Sequence, residues 1–421
     1  MEHRLSNSPA RGKRIELIDA LRALALAGIL QVNIQSFVWG GGDPLGPFPT
    51  VPSSADILVH MLVGTFVSTK FISIFAFLFG VGAALQYRSI RASLRATHSG
   101  ADLNTQAGAV YRRRLWFLLG VGAAHGVLLY FGDILAFYAL CGFVLVHYLP
   151  RRPAPLVRTT IRWWIAAVVV IFATILFSES VRRRIPVDGD PTLIPAETLH
   201  TFTTYTTTGF FEQIATRAND YFGLVVSMLI FSVPQIVALF LLGLLAGKLG
   251  WLARPARNAR VWQVATWIGL VALPIAAYGE WLNFESVMRQ PGDPSSVGYV
   301  LQFFGSATAC FYVGLLVRLR DRAPVAALIR WVAPVGRMPL TNYLAQSVVM
   351  SFLLSGWGLG WGAEFNRAEL ALLALAIIVV QWPLSRWWIA RFGQGPVEAL
   401  WARVTYRDGP GSNSTFNQTP R

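Results

Sequence analysis

Two ionisable residues stand at helical spacing near the start of the first apolar stretch of the chain. Asp19 and Arg22 are three residues apart and so share one helix face, and Asn33 follows deeper in the same stretch. A polar side chain in a bilayer is costly unless it has a partner, so each such residue is a candidate for function. We expect these three residues to contribute to a substrate or donor site. An ion pair at the membrane boundary is the alternative interpretation of Asp19 and Arg22.

A histidine and an aspartate flank a short break between two later apolar stretches. His125 precedes the break, Asp133 follows it, and Tyr138 comes about one helical turn later. If the two flanking helices adjoin, Asp133 can orient the imidazole of His125 so that it acts as a general base, as in other pairs of a base and an orienting group. We predict this catalytic pair, with Tyr138 in the same site. A hydrogen-bonded structural histidine is the alternative.

Four more polar residues interrupt apolar stretches: Lys70, Arg337, Asn342 and Gln346. We predict that Arg22 and Arg337 converge on one cavity, where their planar guanidinium groups would bind phosphate groups of a ligand. We assign Lys70, Asn342 and Gln346 to the same binding site. The structural alternatives are snorkelling to headgroups for Lys70 and the arginines, and polar contacts between helices for Asn342 and Gln346.

The motif inventory argues against the common soluble enzyme classes. The sequence contains no P-loop, G-x-G-x-x-G, H-E-x-x-H, C-x-x-C or G-x-S-x-G pattern. Cys141 and Cys310 both lie in apolar stretches, so neither a disulfide framework nor a metal site is predicted. We expect no metal and no permanently bound cofactor.

The composition indicates that these residues are positioned by membrane-spanning helices. Of 421 residues, 54% are hydrophobic and 14% are charged, whereas a soluble domain carries roughly 25% charged residues. The mean hydropathy is +0.49. The net charge of +15 comes from basic residues beside apolar segments, a placement that indicates topology and contact with anionic lipid headgroups and not nucleic-acid binding.

The pattern predicts an all-α, polytopic transmembrane bundle of about ten helices. Lys and Arg cluster in every second interval between the apolar stretches and therefore lie on one side of the membrane. That side is predicted to be the cytoplasm, and both termini lie on it. The cluster from Arg182 to Arg184 is the one exception, and it begins a long loop. The stretches are 16–38, 58–86, 113–131, 133–149, 160–179, 222–247, 261–281, 297–317, 331–355 and 368–389.

One transmembrane domain, residues 15–408, is expected between a basic cytoplasmic N-terminus, residues 1–14, and a disordered tail, residues 409–421. The first apolar stretch contains charged residues and lacks a cleavage site, so it is predicted to be retained as a helix and not removed as a signal peptide. The main outer loops are expected at about 39–57 and 180–221.

Several sequence blocks resemble the YeiB-type family of bacterial inner-membrane proteins, which is also called domain of unknown function 418. The resemblance covers nearly the whole chain, with a C-terminal family block at about 240–405. Ala23 departs from the family pattern, which usually has Gly after the Arg. The matching blocks are 17–23 with Asn33, 75–82, 125–138, 336–347 and 395–401.

The resemblance implies a multi-pass protein of the bacterial cytoplasmic membrane. It also implies a distant similarity to membrane acyltransferases that modify extracytoplasmic sugars, including the heparan-alpha-glucosaminide N-acetyltransferase type. In that type the working histidine lies in the outer loop after the first helix. The corresponding loop here, 39–52, contains no histidine. His60 is the nearest one, and we assign the role to His125 instead.

Two functional hypotheses follow from these features. The first is an acyl-CoA-dependent acyltransferase: Arg22 and Arg337 would bind the donor, and Asn33 with Asn342 or Gln346 would hold the acyl carbonyl. The second is a transporter or exporter of a small amphipathic molecule, in which the same residues line a pathway. A structural or regulatory membrane protein is the third reading. The partners expected are the lipid bilayer, anionic headgroups and a small-molecule substrate; the oligomeric state is left open.

Overall fold

The computed structural model describes residues 15–40, 52–182, 196–289 and 295–406, and these form a bundle of α-helices without a β-strand. The predicted all-α fold class is confirmed. The N-terminal segment 1–14, the tail 409–421, residues 41–51 of the first predicted outer loop and residues 183–195 of the second lie outside the described residues. The helices are α1 Glu16–Trp39, α2 Ser54–Phe66, α3 Lys70–Leu94, α4 Gly100–Leu128, α5 Leu135–Val146, α6 Pro153–Arg182, α7 Ala196–Thr207, α8 Phe210–Phe231, α9 Val233–Leu249, α10 Ala259–Arg289, α11 Ser296–Gln302, α12 Gly305–Leu319, α13 Ala323–Gly336, α14 Pro339–Leu354, α15 Arg367–Phe392 and α16 Pro396–Tyr406.

Each of the ten predicted apolar stretches lies in helix, but several are interrupted. The stretch 58–86 is divided into α2 and α3 at Thr69, which has a positive φ of 66°. The stretch 331–355 is divided into α13 and α14 immediately before Pro339, because a residue that precedes proline disfavours the helical conformation. Between α8 and α9 the chain bends by 69°. Hydropathy does not report such breaks, since apolar composition continues through them.

The length and composition of the described helices establish a multi-pass membrane protein. Five segments are long and apolar enough to cross a bilayer, and the bent pair of α8 and α9 makes a sixth. These five are α1, α2 with α3, most of α6, most of α10, and all of α15. The remaining predicted stretches correspond to shorter apolar helices, such as α5, α12 and α13, and to α4, whose three consecutive arginines, 112–114, interrupt its apolar run.

Helix α1 lies at the centre of the bundle and α6 at its periphery. Within an apolar segment of 18 residues in each helix, 67% of the residues of α1 are buried, compared with 11% of those of α6. Helix α1 contacts α3, α13, α14 and α15, so residues on several of its faces meet protein. Helix α6 presents large apolar side chains outward, including Leu176 and Phe177, and this is the face expected to contact lipid.

Helices α3 and α9 pack with their backbones in direct contact through two glycines. A Cβ atom at Gly80 would overlap the carbonyl oxygen of Phe240, and one at Gly243 would overlap that of Phe77. Small residues allow such close approach in membranes, where packing replaces the hydrophobic effect between helices. This contact fixes the position of α3, which forms one wall of the cavity described below.

We predict that Gly243→Val destabilises the protein by about 1–3 kcal/mol or more, because the added side chain separates α3 from α9. Gly223→Val in α8 is the matched control, since nothing lies within 4 Å of a Cβ atom there, and its effect should stay within about 0.5 kcal/mol. Unfolding in detergent, followed by tryptophan fluorescence, measures both. Equal effects of the two substitutions would contradict the close packing.

The predicted orientation is tested by cysteine accessibility in intact cells. Thr97, in the turn between α3 and α4, and Glu364, between α14 and α15, are both exposed. We expect a cysteine at Glu364 to react with a membrane-impermeant maleimide from outside, and one at Thr97 to react only after the cells are opened. Labelling of Thr97→Cys in intact cells would invert the topology.

Candidate functional site

A cavity of about 930 Å³ lies between α1, α3, α4, α5, α14 and α16. This volume is near the upper end of the roughly 300–1,000 Å³ range of small-molecule and cofactor sites. One end is polar and carries three guanidinium groups, those of Arg22, Arg114 and Arg337. The other end is apolar and aromatic. The polar end lies on the side of the turn between α3 and α4, which the charge pattern predicts to be cytoplasmic.

Each arginine of the polar end is held by a different kind of group. Arg22 donates to the carboxylate of Asp19, with 3.2 Å between Nη1 and Oδ1. Arg337 donates to the carbonyl oxygen of Gly393 at 3.0 Å. The guanidinium of Arg114 lies 4.0 Å from the ring centre of Trp401, in cation–π geometry. These contacts orient the groups, and all three side chains line the cavity.

A carboxylate from α16 closes part of the polar end. Glu398 accepts hydrogen bonds from the backbone nitrogens of Leu340 at 2.7 Å and Thr341 at 3.1 Å, and from the hydroxyl of Thr341 at 2.6 Å. The two nitrogens belong to the first turn of α14, where backbone N–H groups have no partner within the helix. Glu398 therefore caps α14 from another helix.

The inner end of the cavity is built mainly from aromatic rings of α3 and α5. Phe79 stacks on Phe240 with ring centres 4.5 Å apart, and Tyr138 meets Phe79 edge-on at 5.8 Å. The hydroxyl of Tyr138 donates to the carbonyl of Ile72 at 3.0 Å. Tyr343 of α14 also lines this end. The cavity thus combines anion-binding groups with an apolar interior.

His125 and Asp133 are in direct contact, as the sequence predicts. The Nδ1 atom of His125 lies 2.9 Å from Oδ1 of Asp133, and the residues are only 3% and 0% exposed. The second carboxylate oxygen of Asp133 accepts from the backbone nitrogen of Ala136 at 2.9 Å, in the first turn of α5. The Nε2 atom of His125 is buried and has no hydrogen-bond partner among the described residues.

The imidazole of His125 lies behind the cavity wall. Its ring centre is 5.1 Å from that of Tyr343, and Tyr343 lines the cavity whereas His125 does not. On its other side, His125 meets the edge of Tyr130 at 6.2 Å. One aromatic side chain therefore separates the predicted base from the cavity.

Five of the predicted binding residues do not line the cavity, and Asp19, which pairs with Arg22 on α1, is the first of them. Lys70 is 1% exposed and donates to the carbonyl of Gly64 at 2.8 Å. The side-chain amide of Asn342 donates to the carbonyl of Val335 and accepts from the hydroxyl of Ser385. The side-chain amide of Gln346 donates to that of Gln381. These amides hold helices together. Asn33 lies on α1 and does not line the cavity.

Sequence reasoning did not assign Arg114, Trp401, Glu398 and Tyr343 to the site. The charge pattern explains Arg114 as part of a topology signal, and Trp401 with Glu398 as an interfacial segment. Their cavity roles depend on α16 folding back against α4 and α14. The only sequence signal was the density of Gly, Pro, Glu and Trp between residues 393 and 401. Within the described ranges, no group of three or more His, Cys, Asp or Glu residues could hold a metal ion.

Comparison with known proteins finds one matching family model and relatives that include proteins from two bacteria. Residues 246–408 match the family described as "Protein of unknown function (DUF418)". The chain is 29% identical over 420 residues to "Uncharacterized protein YxaH" of Bacillus subtilis (strain 168), with 94% of each chain covered. It is 26% identical over 422 residues to "Uncharacterized protein YeiB" of Escherichia coli (strain K12), covering 94% of this chain and 98% of YeiB.

The double role of Asp133 gives a prediction about stability. Asp133→Ala removes the acceptor of both His125 and the α5 backbone, so we expect the free energy of unfolding to fall by about 2–4 kcal/mol, at roughly 1–3 kcal/mol for each buried group left unsatisfied. Asp133→Asn keeps a carbonyl acceptor and should lose clearly less. Scanning fluorimetry in detergent compares the two. An Ala variant as stable as the parent would remove Asp133 from this role.

Proposed function

Because the chain belongs to the YeiB-type DUF418 family, whose relatives named above carry no assigned reaction, we propose a function from the site itself. The protein is proposed to be an acyl-CoA-dependent acyltransferase of the bacterial inner membrane. It takes the donor from the cytoplasmic side and modifies a hydroxyl or amine acceptor on the outer side. Acyl-CoA enters as a substrate and not as a resident cofactor.

The observation that carries this proposal is the division of one large cavity into a cationic and an aromatic end. Three guanidinium groups lie at the polar end, and rings of α3, α5 and α14 line the other end. An acyl-CoA has the same division, with phosphates at one end and an uncharged pantetheine arm and acyl group at the other. Arginine binds phosphate with two parallel hydrogen bonds, so the polar end suits the nucleotide part.

The buried pair of His125 and Asp133 supplies the proposed base. Asp133 contacts Nδ1 of the imidazole and leaves Nε2 to accept a proton. In the proposed step, Nε2 takes the proton of the acceptor and the acceptor lone pair attacks the thioester carbonyl carbon. The carbon–sulfur bond breaks, and the proton returns to the sulfur of coenzyme A. Every proton is then accounted for without release to solvent.

Tyr343 has a specific part in this proposal because it stands between His125 and the cavity. Its side chain must turn aside for the thioester to reach Nε2. Its hydroxyl is the proposed donor to the carbonyl oxygen during attack. Tyr343 thus replaces Asn33, Asn342 and Gln346, whose amides are placed elsewhere, as the candidate carbonyl donor.

Donor binding tests the arginine end. We expect Arg22→Lys, Arg114→Lys and Arg337→Lys each to weaken binding of radiolabelled acetyl-CoA by about 5- to 10-fold, because lysine keeps the charge but loses the planar fork. Arg254→Lys is the control, since Arg254 is exposed on the same predicted side and does not line the cavity. Protein in nanodiscs of neutral lipid excludes competition from anionic headgroups.

Release of coenzyme A thiol distinguishes the proposed enzyme from the alternative transporter. His125→Gln should bind acetyl-CoA as the parent does but release coenzyme A thiol at least about 100-fold more slowly in membranes that contain the acceptor. Parent protein that binds acetyl-CoA and never releases free thiol would favour a carrier of amphipathic anions. Absence of binding to the parent would overturn the donor assignment.

A further inference from the structure

The C-terminal helix α16 forms one wall of the cavity and is only partly buried against α4 and α14. Glu398, Trp401 and Ala402 of α16 line the polar end. Of its eleven residues, Pro396–Tyr406, only Thr405 is fully buried. Leu400 is 52% exposed and Val404 is 42% exposed. Val397, Trp401 and Tyr406 pack partly buried against the core, so α16 is held by only part of its apolar surface.

Polar contacts also fasten α16. The backbone nitrogen of Val397 donates to the hydroxyl of Thr341 at 3.1 Å, and two further attachments lie at the cavity. The first is the carboxylate of Glu398 on the first turn of α14, whose own N-cap residue, Met338, makes no side-chain capping bond. The second is Trp401, which donates from Nε1 to the carbonyl of Arg114 at 3.0 Å and lies beneath the guanidinium of the same residue. Glu398 and Trp401 line the cavity, and so do their partners Leu340 and Arg114.

The connection between α15 and α16 is suited to rotation. Gly393 ends α15 with a positive φ of 74°, and Gly393 and Gln394 are exposed. Gly395 completes a three-residue link with two glycines. Hinges commonly lie at such element ends, where few residues absorb the change in backbone angles.

The guanidinium of Arg114, at the polar end of the cavity, can bind an anion because not all of its N–H groups are hydrogen-bonded within the described residues. Arg114 is only 9% exposed, and its Nε atom has no hydrogen-bond partner among the described residues. The exposed N–H groups of a helix N-terminus favour anions, and phosphate binds there as readily as carboxylate. Glu398 thus occupies a position beside Arg337 that a phosphate would also favour.

We infer that α16 is a movable wall of the cavity and that Glu398 is its latch. In the closed form the carboxylate of Glu398 caps α14. When a phosphate-bearing ligand enters the arginine end, its charge repels this carboxylate and competes for the N–H groups of Leu340 and Thr341, and α16 swings out about the Gly393–Gly395 link. The identity of the ligand as acyl-CoA rests on the proposed function; the latch does not.

The experiment measures the position of α16 in the full-length protein. Spin labels at Leu400→Cys and Thr97→Cys, in a background with Cys141→Ala and Cys310→Ala, report the distance between α16 and the α3–α4 turn by pulsed electron resonance. Both labelled positions are exposed. Coenzyme A is the ligand probe, in phosphatidylcholine nanodiscs, and phosphatidylglycerol nanodiscs without coenzyme A test whether a lipid phosphate acts in its place.

We expect a second, longer distance when coenzyme A is added, and the same distance without ligand in Glu398→Gln. Loss of a capping carboxylate should raise the ratio of open to closed protein by about 5- to 10-fold. Thr341→Val, which removes the hydroxyl contact at 2.6 Å, gives a second, milder test should Glu398→Gln fold poorly. Glu369→Gln is the matched control, because Glu369 caps α15 by accepting from the backbone nitrogen of Asn366 away from the cavity.

The outcomes separate the latch from the proposed function. An unchanged distance in both Glu398→Gln and Thr341→Val would show that α16 is a fixed wall. If the variants open but coenzyme A neither binds nor moves α16, the latch stands and the acyl-CoA assignment fails. If coenzyme A binds without moving α16, the latch fails and the donor site survives. A shift in phosphatidylglycerol alone would identify a lipid phosphate as the ligand.

Discussion

The structure depends on how three arginine side chains are accommodated at one cavity in an apolar helical bundle. Arg22, Arg114 and Arg337 each need polar partners there, because an isolated charge in a low-dielectric environment is costly. A carboxylate, a backbone carbonyl and an indole ring provide those contacts. The partner of Arg22 lies on the same helix, α1, whereas those of Arg337 and Arg114 come from the end of α15 and from α16. The last two contacts therefore help to hold α15 and α16 at the cavity.

The rest of the bundle provides a rigid frame for this cavity. Helix α1 is enclosed by neighbouring helices, and α3 is fixed by the glycine contact with α9. Behind the cavity, the pair of His125 and Asp133 connects the end of α4 to the start of α5. Helix α16 differs from these elements, because most of its residues are exposed or half-buried and polar contacts join it to α4 and α14.

Several features of the site follow from sequence alone because they are local. Asp19 and Arg22 are three residues apart on one helix, so their contact is dictated by helical geometry. His125 and Asp133 are separated by eight residues across a tight turn, and adjoining helices bring them together. The same reasoning assigned Asn342 and Gln346 to the binding site with contacts between helices as the alternative, and the structure places both amides in such contacts. A polar residue on an apolar helix has the same pattern whether it faces a ligand or another helix.

Composition and charge pattern by themselves determined the membrane environment, the all-α class and the positions of the apolar stretches, since these depend on transfer of side chains between water and lipid. Tertiary structure alone decided that Arg114 joins Arg22 and Arg337 at the cavity, where the helices break and what closes the polar end. Glu398 meets Leu340 across 58 residues and Trp401 meets Arg114 across 287. Helical periodicity describes neighbours three or four residues apart, so contacts over these separations arise only when the helices pack.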